Sequence, residues 1–207
     1  RRFDVDVMDD LETAGLAFGR LSAQFIRDKV VPELDAFRFA SYCGISGVTK
    51  KEETLADGAA TVAALSAAVT AMDDEEVTAT GRYLFITPTL LQGINDMDTT
   101  KSKKVLEGFE QVIKVPQRRF YTAIKQLSGK TGEEAGGYTK ATGAANINFA
   151  IVQKDALIQY TKHAAPKIIA PENNPDADAY VFGYRMVGIA KAYKNMLSGM
   201  YFSHDKA

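Results

Sequence analysis

The stretch from Asp9 to Val31 most constrains the fold, because it carries the longest uninterrupted helical pattern in the sequence. Apolar residues recur there every three or four positions, which places them on one face of a helix. They are Leu11, Ala14, Phe18, Leu21 and Phe25. Asp9 suits the N-cap, and Pro32 predicts the end of the helix, because a proline disfavours helical geometry in the residue before it. At ~1.5 Å per residue, this helix is expected to be about 30 Å long.

This apolar stripe by itself fits any core-facing helix of an α/β protein. It is too short for a free coiled coil, which needs about three to four sustained heptads. The order of the segments that follow therefore decides between folds.

Composition sets the broad class of the protein. The 207 residues, 46% of them hydrophobic, can bury a proper core in one or two domains. The formal charge of -1 gives no global attraction to nucleic acid or to an acidic membrane surface. Cys43 is the only cysteine, so neither an intrachain disulfide nor a thiolate zinc cluster is expected, which fits assembly in a reducing cytoplasm. No apolar run approaches the ~18 residues of a membrane span.

Helical patterns continue beyond Pro32. A second helix is predicted at about residues 32 to 43, with Gly44 placed to end it. Asp57 suits the cap of an alanine-rich helix at about residues 58 to 72. The acidic run at residues 73 to 76 is interpreted as a solvated helix end, because it lacks the alternating ligand spacing of calcium loops.

A strand feeds directly into a helix in the middle of the chain. RYLFITP predicts a strand at about residues 82 to 87, with Thr87 as the N-cap and Pro88 as the first helical residue. A charged loop is expected around Asn95 to Lys104, followed by a strand at about residues 109 to 115. The alternation is typical of an α/β region.

Glycines dominate the next stretch, and this composition predicts a mobile loop. They are Gly129, Gly132, Gly136, Gly137 and Gly143. From Asn146 the pattern changes to strands, with NINFAIVQ followed by ALIQYTKHA and KIIA. After a turn rich in Pro and Asn, AYVFGYRMVGIAKAY is long enough to pair back as an extended antiparallel ribbon. NMLSGMYFS is expected to form the last strand.

Two patterns resemble known sites but lack required residues. SGKTGEE has the Gly129, Lys130 and Thr131 ending of a phosphate-binding loop, yet the upstream glycine position holds Ile124. The acidic residues near the start resemble a calcium loop, but Met8 occupies the third liganding place. We therefore predict no phosphate-binding loop and no calcium site.

The remaining chemistry-bearing residues are scattered. His163 and His204 are far apart, and neither has a helical partner at four residues for zinc. Cys43 lies at the end of a predicted helix without a catalytic signature, and no GxSxG elbow occurs. The sequence thus predicts no catalytic, cofactor-binding or metal-ligating set.

Three arginines are candidates for contacts outside the chain: Arg118, Arg119 and Arg185. A guanidinium group suits an anion, and it is also the usual choice for an ion pair between subunits. We favour inter-subunit contacts and keep anion binding as the alternative.

The order of these segments resembles that of the major capsid (coat) proteins of tailed bacteriophages with the Hong Kong 97-type fold. The similar segments are VVPELDAFRFA, RYLFITPTLL, FEQVIKVPQRRF and NFAIVQKDALIQYTKHAAPKIIAPENNPDADAYVFGYRMVGIAKAY, and the resemblance covers nearly the whole chain. It implies an α+β fold with a long spine helix, an axial α/β domain and a long antiparallel β-ribbon in a peripheral domain.

The resemblance also implies a division of the chain. Residues 1 to 43 would hold the end of an extended loop and the spine helix of the peripheral domain, and residues 44 to 153 the axial domain. Residues 154 to 192 would form the peripheral ribbon, and residues 193 to 207 a strand returning to the axial domain. The chain begins Arg1, Arg2, Phe3 without a methionine, so we expect an N-terminally truncated member of this family.

The function that the resemblance implies is structural rather than enzymatic. Subunits would assemble as pentamers and hexamers into an icosahedral head shell around phage or prophage double-stranded DNA, with no cofactor, metal or membrane. Scaffolding protein, portal and sequence-independent DNA would be further partners, in a virion assembled in the bacterial cytoplasm. The charged residues that fall at the axial loop would line the capsomer centre: Asp96, Asp98, Lys101, Lys103 and Lys104.

Two alternatives remain open. An encapsulin-like cargo compartment would have the same fold, with protein cargo instead of a packaged genome. A small α/β enzyme or ligand-binding protein would place its site in the glycine-rich stretch and would be a discrete monomer or dimer with a concave polar pocket.

Overall fold

The computed structural model describes residues 2–13, 15–133 and 136–206. The chain divides into two compact units. Unit 1 comprises Arg1–Leu34, Gln126–Thr139 and Gln159–Ile189. Unit 2 comprises Asp35–Lys125, Lys140–Ile158 and Ala190–Ala207.

Helices and strands alternate irregularly along the described residues. The α-helices are α1 (Val7–Glu12), α2 (Leu16–Phe25), α3 (Val31–Cys43), α4 (Gly58–Asp74), α5 (Pro88–Met97) and α6 (Thr100–Glu107). The strands are β1 (Arg2–Asp6), β2 (Thr49–Glu52), β3 (Arg82–Ile86), β4 (Gln111–Lys114), β5 (Ile124–Leu127), β6 (Gly137–Lys140), β7 (Ile147–Gln153), β8 (Leu157–Ile169), β9 (Ala179–Ala192) and β10 (Met200–His204).

Unit 1 is built around a three-stranded sheet in the order β1-β9-β8. β1 runs antiparallel to β9, with Phe3 opposite Phe182. An aromatic cluster covers this part of the sheet: the Phe3 ring lies 5.1 Å from Phe182 and 5.2 Å from Phe25, and Phe18 lies 5.4 Å from Tyr180. Aromatic pairs at such separations stabilise beyond the area they bury. The cluster therefore fixes α2 against the sheet.

The predicted single helix from Asp9 to Val31 is interrupted. Asp6, and not Asp9, caps its first turn, because the Asp6 Oδ1 atom accepts a hydrogen bond from the Met8 amide at 2.8 Å. α1 ends after six residues, and α2 begins after Gly15, whose φ of +77° suits glycine alone. Ala14, which belongs to the predicted stripe, lies outside the described residues.

Pro32 does not end the helix, so that prediction is wrong. A π-helical turn from Ile26 to Val30 follows α2 and leads directly into α3, where Pro32 is the second residue. The wider turn displaces the carbonyl ladder, so the missing proline amide is tolerated. The predicted helix at about residues 32 to 43 is confirmed as α3.

The packed face of α2 is narrower than predicted. Phe18 and Phe25 are half-buried in the aromatic cluster, whereas the side chains of Leu11 and Leu21 are 67% and 43% exposed. The interruption after α1 changes the helical phase, so Leu11 does not share the face of Phe18. The prediction that the whole apolar stripe from Leu11 to Phe25 is buried within the chain is therefore wrong.

Unit 2 contains a five-stranded mixed sheet in the order β2-β10-β7-β3-β4. β7 runs antiparallel to both neighbours, β10 and β3, while β3 pairs in parallel with β4. Every residue of β7 is buried. Its near-continuous apolar run is typical of a central strand covered on both faces.

Each face of this sheet has its own core. On one face, Leu84 and Phe149 pack with Leu65 of α4 and Ile94 of α5. On the other face, Phe120 and Phe202 pack with side chains from the end of α3 and from the segment before β10. This two-faced burial explains why β7 contains almost no polar residues.

Local signals in unit 2 were largely predictive. Asp57 caps α4, accepting a hydrogen bond from the Ala60 amide at 2.7 Å, and Pro88 is the first residue of α5. The charged segment from Asn95 to Lys104 is not a loop, so that prediction is wrong. α5 extends to Met97, and α6 follows it with a capping box between Thr99 and Ser102.

The glycine-rich stretch also differs from its prediction as a loop. It carries β6, which pairs with β5 as a two-stranded sheet, while Gly129 and Gly132 provide positive φ angles in the connecting turns. A composition rich in glycine is thus used for turns rather than for an extended loop. Residues 134 and 135 lie outside the described residues.

The predicted strands near the C-terminus are confirmed. ALIQYTKHA and KIIA form one continuous strand, β8, at the edge of the unit 1 sheet. Pro166 is accommodated there because an edge strand does not need every amide for pairing. Arg1, the first residue of the predicted fragment, lies outside the described residues.

Candidate assembly surfaces and a cleft

The charged residues predicted to line a capsomer centre lie at one corner of unit 2, where α5 ends and α6 begins. Asp98, with φ of +42°, ends α5 and forms an ion pair with Lys103 at 2.6 Å. Asp96 accepts a hydrogen bond from Gln92 at 2.6 Å. All five predicted residues are exposed. The corner therefore presents charges of both signs to solvent, and an exposed ion pair of this kind contributes little to the stability of the fold.

The three arginines differ in their surroundings. Arg119 forms an ion pair with Asp35 at 3.1 Å, so its guanidinium is already engaged within the chain. Arg118 is exposed and lies on a single turn of 3-10 helix, Gln117–Arg119, that follows β4. Arg185 is exposed on β9 in unit 1. Arg118 and Arg119 thus belong to unit 2, and Arg185 belongs to unit 1.

Sequence periodicity missed two groups of exposed apolar side chains in unit 1. The first lies on α1 and α2 and consists of Met8, Leu11, Leu16 and Leu21. The second lies on β8 and β9 and consists of Tyr160, Ile168, Val187 and Ile189. Large exposed apolar groups mark surfaces that contact another protein. The partial alternation of polar and apolar residues in β8 was the available signal, but it does not show which face is covered.

A partly buried polar network joins the end of β2 to the neighbouring strand β10. The Ser203 hydroxyl donates to the Glu53 carboxylate at 2.7 Å, and Lys51 pairs with the same carboxylate at 3.0 Å. Hydrogen bonding to Glu53 raises the pKa of Lys51, and burial raises the pKa of Tyr201 nearby. Ser203 therefore serves a structural contact, since its proton is held by a carboxylate.

An open cleft of about 580 Å³ lies in unit 2 beside the first turn of α5. It is found where the parallel strands β3 and β4 both end, the position at which α/β sheets commonly bind ligands. Its walls include residues of both strand ends and of the segment after β10: Thr87, Pro88, Thr89, Leu90, Pro116, Gln117, Arg118 and Asp205. The cleft therefore does not lie in the glycine-rich stretch, where the enzyme or ligand-binding alternative would place its pocket.

Metal-ligating side chains do not converge in the described part of the chain. Among residues 2–13, 15–133 and 136–206, no group of three His, Cys, Asp or Glu residues is placed to hold a metal ion. Asp6 caps α1 instead of joining an acidic cluster. Within the same residues, no helix has the length and apolar character to cross a membrane.

Comparison with solved structures identifies the fold. A chain from Mycobacterium phage Che8 matches with a TM-score of 0.62 at 12% identity, over 98% of this chain and 68% of that one. A chain of a virus-like particle from Pyrococcus furiosus gives 0.64 at 10% identity, over 98% and 73%. A chain in the capsid of the cyanophage P-SCSP1u gives 0.56 at 16% identity, over 99% and 71%.

The chain therefore has the mixed α+β fold found in phage capsid and virus-like particle chains, as its segment order predicted. No protein-family model matches the sequence, and no curated protein matches it. At these identities the similarity lies in backbone architecture rather than in shared side chains.

Proposed function

We propose that this protein is a major capsid subunit that self-assembles into the icosahedral head shell around phage or prophage double-stranded DNA. The observation that carries the proposal is the match of 98% of the chain to a virus-like particle chain and 99% of it to a phage capsid chain.

Surface chemistry supports a subunit that contacts copies of itself. Exposed apolar side chains on α1, α2, β8 and β9 are costly in water unless an assembly covers them. Head-to-tail contacts between identical copies close into rings when the rotation between them is a whole fraction of a turn. Pentamers and hexamers of one chain fit that requirement, and the role needs no catalytic residue or cofactor.

The Hong Kong 97-type arrangement assigns a place to each predicted region. We assign the peripheral domain to residues 1 to 43 and 154 to 192, and the axial domain to residues 44 to 153 with 193 to 207. The charged corner at α5 and α6 then lines the capsomer centre. Its charges of both signs suit contacts that fix how neighbouring subunits align and that are weak enough to rearrange during assembly.

The further partners follow from this role. Copies of the same chain are the principal partner, joined by scaffolding protein, a portal and packaged DNA bound without sequence specificity. The subunit resides in the virion after assembly in the bacterial cytoplasm. The formal charge of -1 accords with a shell that encloses DNA without holding it tightly.

An encapsulin-like compartment is the second candidate. The virus-like particle chain from Pyrococcus furiosus matches with a TM-score of 0.64, similar to the 0.62 of the Mycobacterium phage Che8 chain. Such a shell would use the same fold and the same contacts between subunits. It would differ in its contents, which would be protein cargo and not a genome.

Electron microscopy of the protein, expressed in bacteria in its complete reading frame, tests the proposal. Closed shells, or rings of five and six subunits, are expected. A monodisperse monomer or dimer at high protein concentration would contradict a shell role. Nucleic acid extracted from native particles distinguishes a phage head from a compartment, in which a protein cargo would be recovered.

A further inference from the structure

One face of strands β8 and β9 in unit 1 carries exposed basic and apolar side chains. On β9, Arg185, Val187 and Ile189 are exposed and lie two residues apart, so they point to the same face of the sheet. On β8, Tyr160 and Lys162 are exposed and share a face for the same reason. Exposed apolar side chains bordered by charges are typical of a surface that contacts another macromolecule.

The two rows belong to one surface. β8 and β9 are neighbours in the sheet, and residues 170 to 178 between them are fewer than the ~12 that a parallel crossover needs, so the strands are antiparallel. A Cβ atom on Gly188 would lie 3.0 Å from the Tyr160 carbonyl oxygen and 3.8 Å from the Thr161 Cα atom. Gly188 therefore lies opposite Thr161, and the residues flanking each of them are opposite in turn, with their side chains on the same face. We call this set the ribbon face: Tyr160, Lys162, Arg185, Val187 and Ile189.

The ribbon face is positively charged. Strands β8 and β9 contain four Lys or Arg residues and no Asp or Glu, although the whole chain has a formal charge of -1. Lys162 and Arg185 are the two of these four residues that belong to the ribbon face. A partner with acidic and apolar side chains is therefore expected, because charges of opposite sign favour association across an interface.

A surface of that character lies on α1 of the same unit. Residues 4 to 12 contain five Asp or Glu residues and no Lys or Arg. Met8, Leu11 and Glu12 are exposed and lie three and four positions apart, so they share one face of α1, and Asp9 is exposed beside them. We call these four residues the helix face. It combines acidic and apolar groups, as the ribbon face combines basic and apolar ones.

The helices and the ribbon face lie on opposite sides of the unit 1 sheet. α1 contacts α2, and α2 packs through Phe18 on Tyr180 and Phe182 of β9, at ring separations of 5.4 Å and 6.2 Å. Tyr180 and Phe182 occupy even-numbered positions of β9, whereas its ribbon-face residues occupy odd-numbered ones and point the other way. The two complementary surfaces therefore cannot meet within one chain, but they can join two copies head to tail.

We propose that the ribbon face of one copy binds the helix face of a second copy. Lys162 and Arg185 pair with Asp9 and Glu12, around a centre formed by the apolar side chains of both faces. The proposal rests on the proposed shell function for the identity of the partner, and it specifies which surfaces of unit 1 join. Because the contact uses two different surfaces, it repeats from copy to copy and can close into a ring. Arg185 thus has the inter-subunit role that the sequence predicted for it.

Charge reversal followed by rescue tests the proposal in the whole chain, with self-association measured by sedimentation velocity over a range of protein concentrations. The ribbon variant, Lys162→Glu with Arg185→Glu, should weaken self-association at least about tenfold, because like charges then face each other. The helix variant, Asp9→Lys with Glu12→Lys, should weaken it by a similar factor. The four substitutions combined should restore self-association to within about threefold of wild type. All four positions are exposed, so thermal unfolding should change little.

Lys167→Glu is the matched control. Lys167 is an exposed lysine on the same strand as Lys162, but it lies five residues away and therefore on the other face of the sheet. This variant should leave self-association within about twofold of wild type. An equal loss in Lys167→Glu, unchanged self-association in the ribbon variant, or no recovery in the combined variant would overturn the proposal. Loss of duplex DNA binding in the ribbon variant, without that recovery, would assign the ribbon face to DNA instead.

Electron microscopy of the same variants separates this inference from the shell function. Shells that form equally well in all of them would support the shell and overturn the contact. Rings or open chains without closed shells, lost in the ribbon variant and restored in the combined one, would support the contact and contradict the shell. A wild-type chain that stays monomeric at high concentration would contradict both.

Discussion

Arg82 and Asp73 form an ion pair at 2.7 Å in which the arginine side chain is 2% exposed and the aspartate is 56% exposed. Arg82 also donates to the carbonyl of Thr78 at 3.2 Å and to the carbonyl of Val77. The guanidinium thus joins the end of α4 and the following loop to the first residue of β3. A buried charge is tolerated there because its Nε and Nη2 groups are hydrogen-bonded to Thr78, Val77 and Asp73.

Arg82→Met should lower the free energy of unfolding by about 3 kcal/mol, because it removes a buried guanidinium that pairs with Asp73 and donates to the carbonyls of Val77 and Thr78. Asp73→Asn should cost only about 1 kcal/mol, since that partner is half exposed. Urea denaturation followed by circular dichroism measures both. Arg20→Met, at an exposed position on α2, serves as the control and should change stability by less than about 0.5 kcal/mol. Equal losses in Arg82→Met and Arg20→Met would contradict this role.

Gly58 allows α4 and α5 to approach closely. A Cβ atom at this position would lie 2.1 Å from the carbonyl oxygen of Gly93, which is backbone and cannot rotate away. Gly58→Ala should therefore lower stability by about 2 kcal/mol or more through overpacking. Gly19→Ala is the control, because nothing lies within 4 Å of its Cβ, and it should raise stability by about 0.5–1 kcal/mol. Thermal unfolding measures both changes: the melting temperature should fall for Gly58→Ala and rise for Gly19→Ala.

Phe18 and Leu21 test packing and assembly separately. Burying an aromatic side chain contributes on the order of 1.5 to 3 kcal/mol, so Phe18→Asp should leave the protein insoluble or misassembled. Leu21→Asp, one turn along but 43% exposed, should leave the fold intact. Solubility and circular dichroism measure folding, and electron microscopy measures assembly. A soluble, normally assembling Phe18→Asp variant would show that this face is not packed.

Lysines at the α5 and α6 corner test the proposed capsomer centre. Changing Lys101, Lys103 and Lys104 together to Glu should reduce capsomer assembly at low salt without lowering thermal stability, because all three are exposed. Changing the same three residues to Arg keeps the charge and should preserve assembly. Light scattering and electron microscopy are the measurements. Unchanged assembly in the Glu variant would exclude this corner as an interface.

The reactivity of the Cys43 thiol tests whether the end of α3 is buried. Burial raises the pKa of its thiol above the ordinary value, so less thiolate forms in the folded state at a given pH. Alkylation by iodoacetamide at pH 8 should therefore be slow in the native protein and should accelerate at least about tenfold in urea, where the thiol regains its ordinary pKa. Mass spectrometry follows the modification. Equal rates in the two states would contradict burial.

Local signals in the sequence were sufficient for much of the fold. Asp57 caps α4, and Pro88 begins α5, because capping and proline preferences act within one helical turn. The apolar run of β7 predicted a buried strand, because a strand covered on both faces needs apolar residues at nearly every position. The segment order was sufficient to predict the capsid-type fold that the solved structures share.

Other features required contacts between distant residues. Helix α3 continues through Pro32 because a π-helical turn precedes it, and no local preference announces such a turn. The Asn95 to Lys104 segment has a charged composition typical of loops, yet tertiary packing of Ser102 supports a short helix there. In the Asn95 to Lys104 segment, packing outweighed a weak local preference.

The sequence by itself determined the cap of α4 at Asp57, the start of α5 at Pro88 and the capsid-type order of elements, since the first two depend on neighbours a few residues apart. Only the tertiary structure decided that Leu21 stays exposed, that Arg119 pairs with Asp35, and that Thr87 lines a cleft. These depend on which distant segments meet. The free energy of burying or pairing a side chain is set by its tertiary contacts and not by its neighbours in sequence.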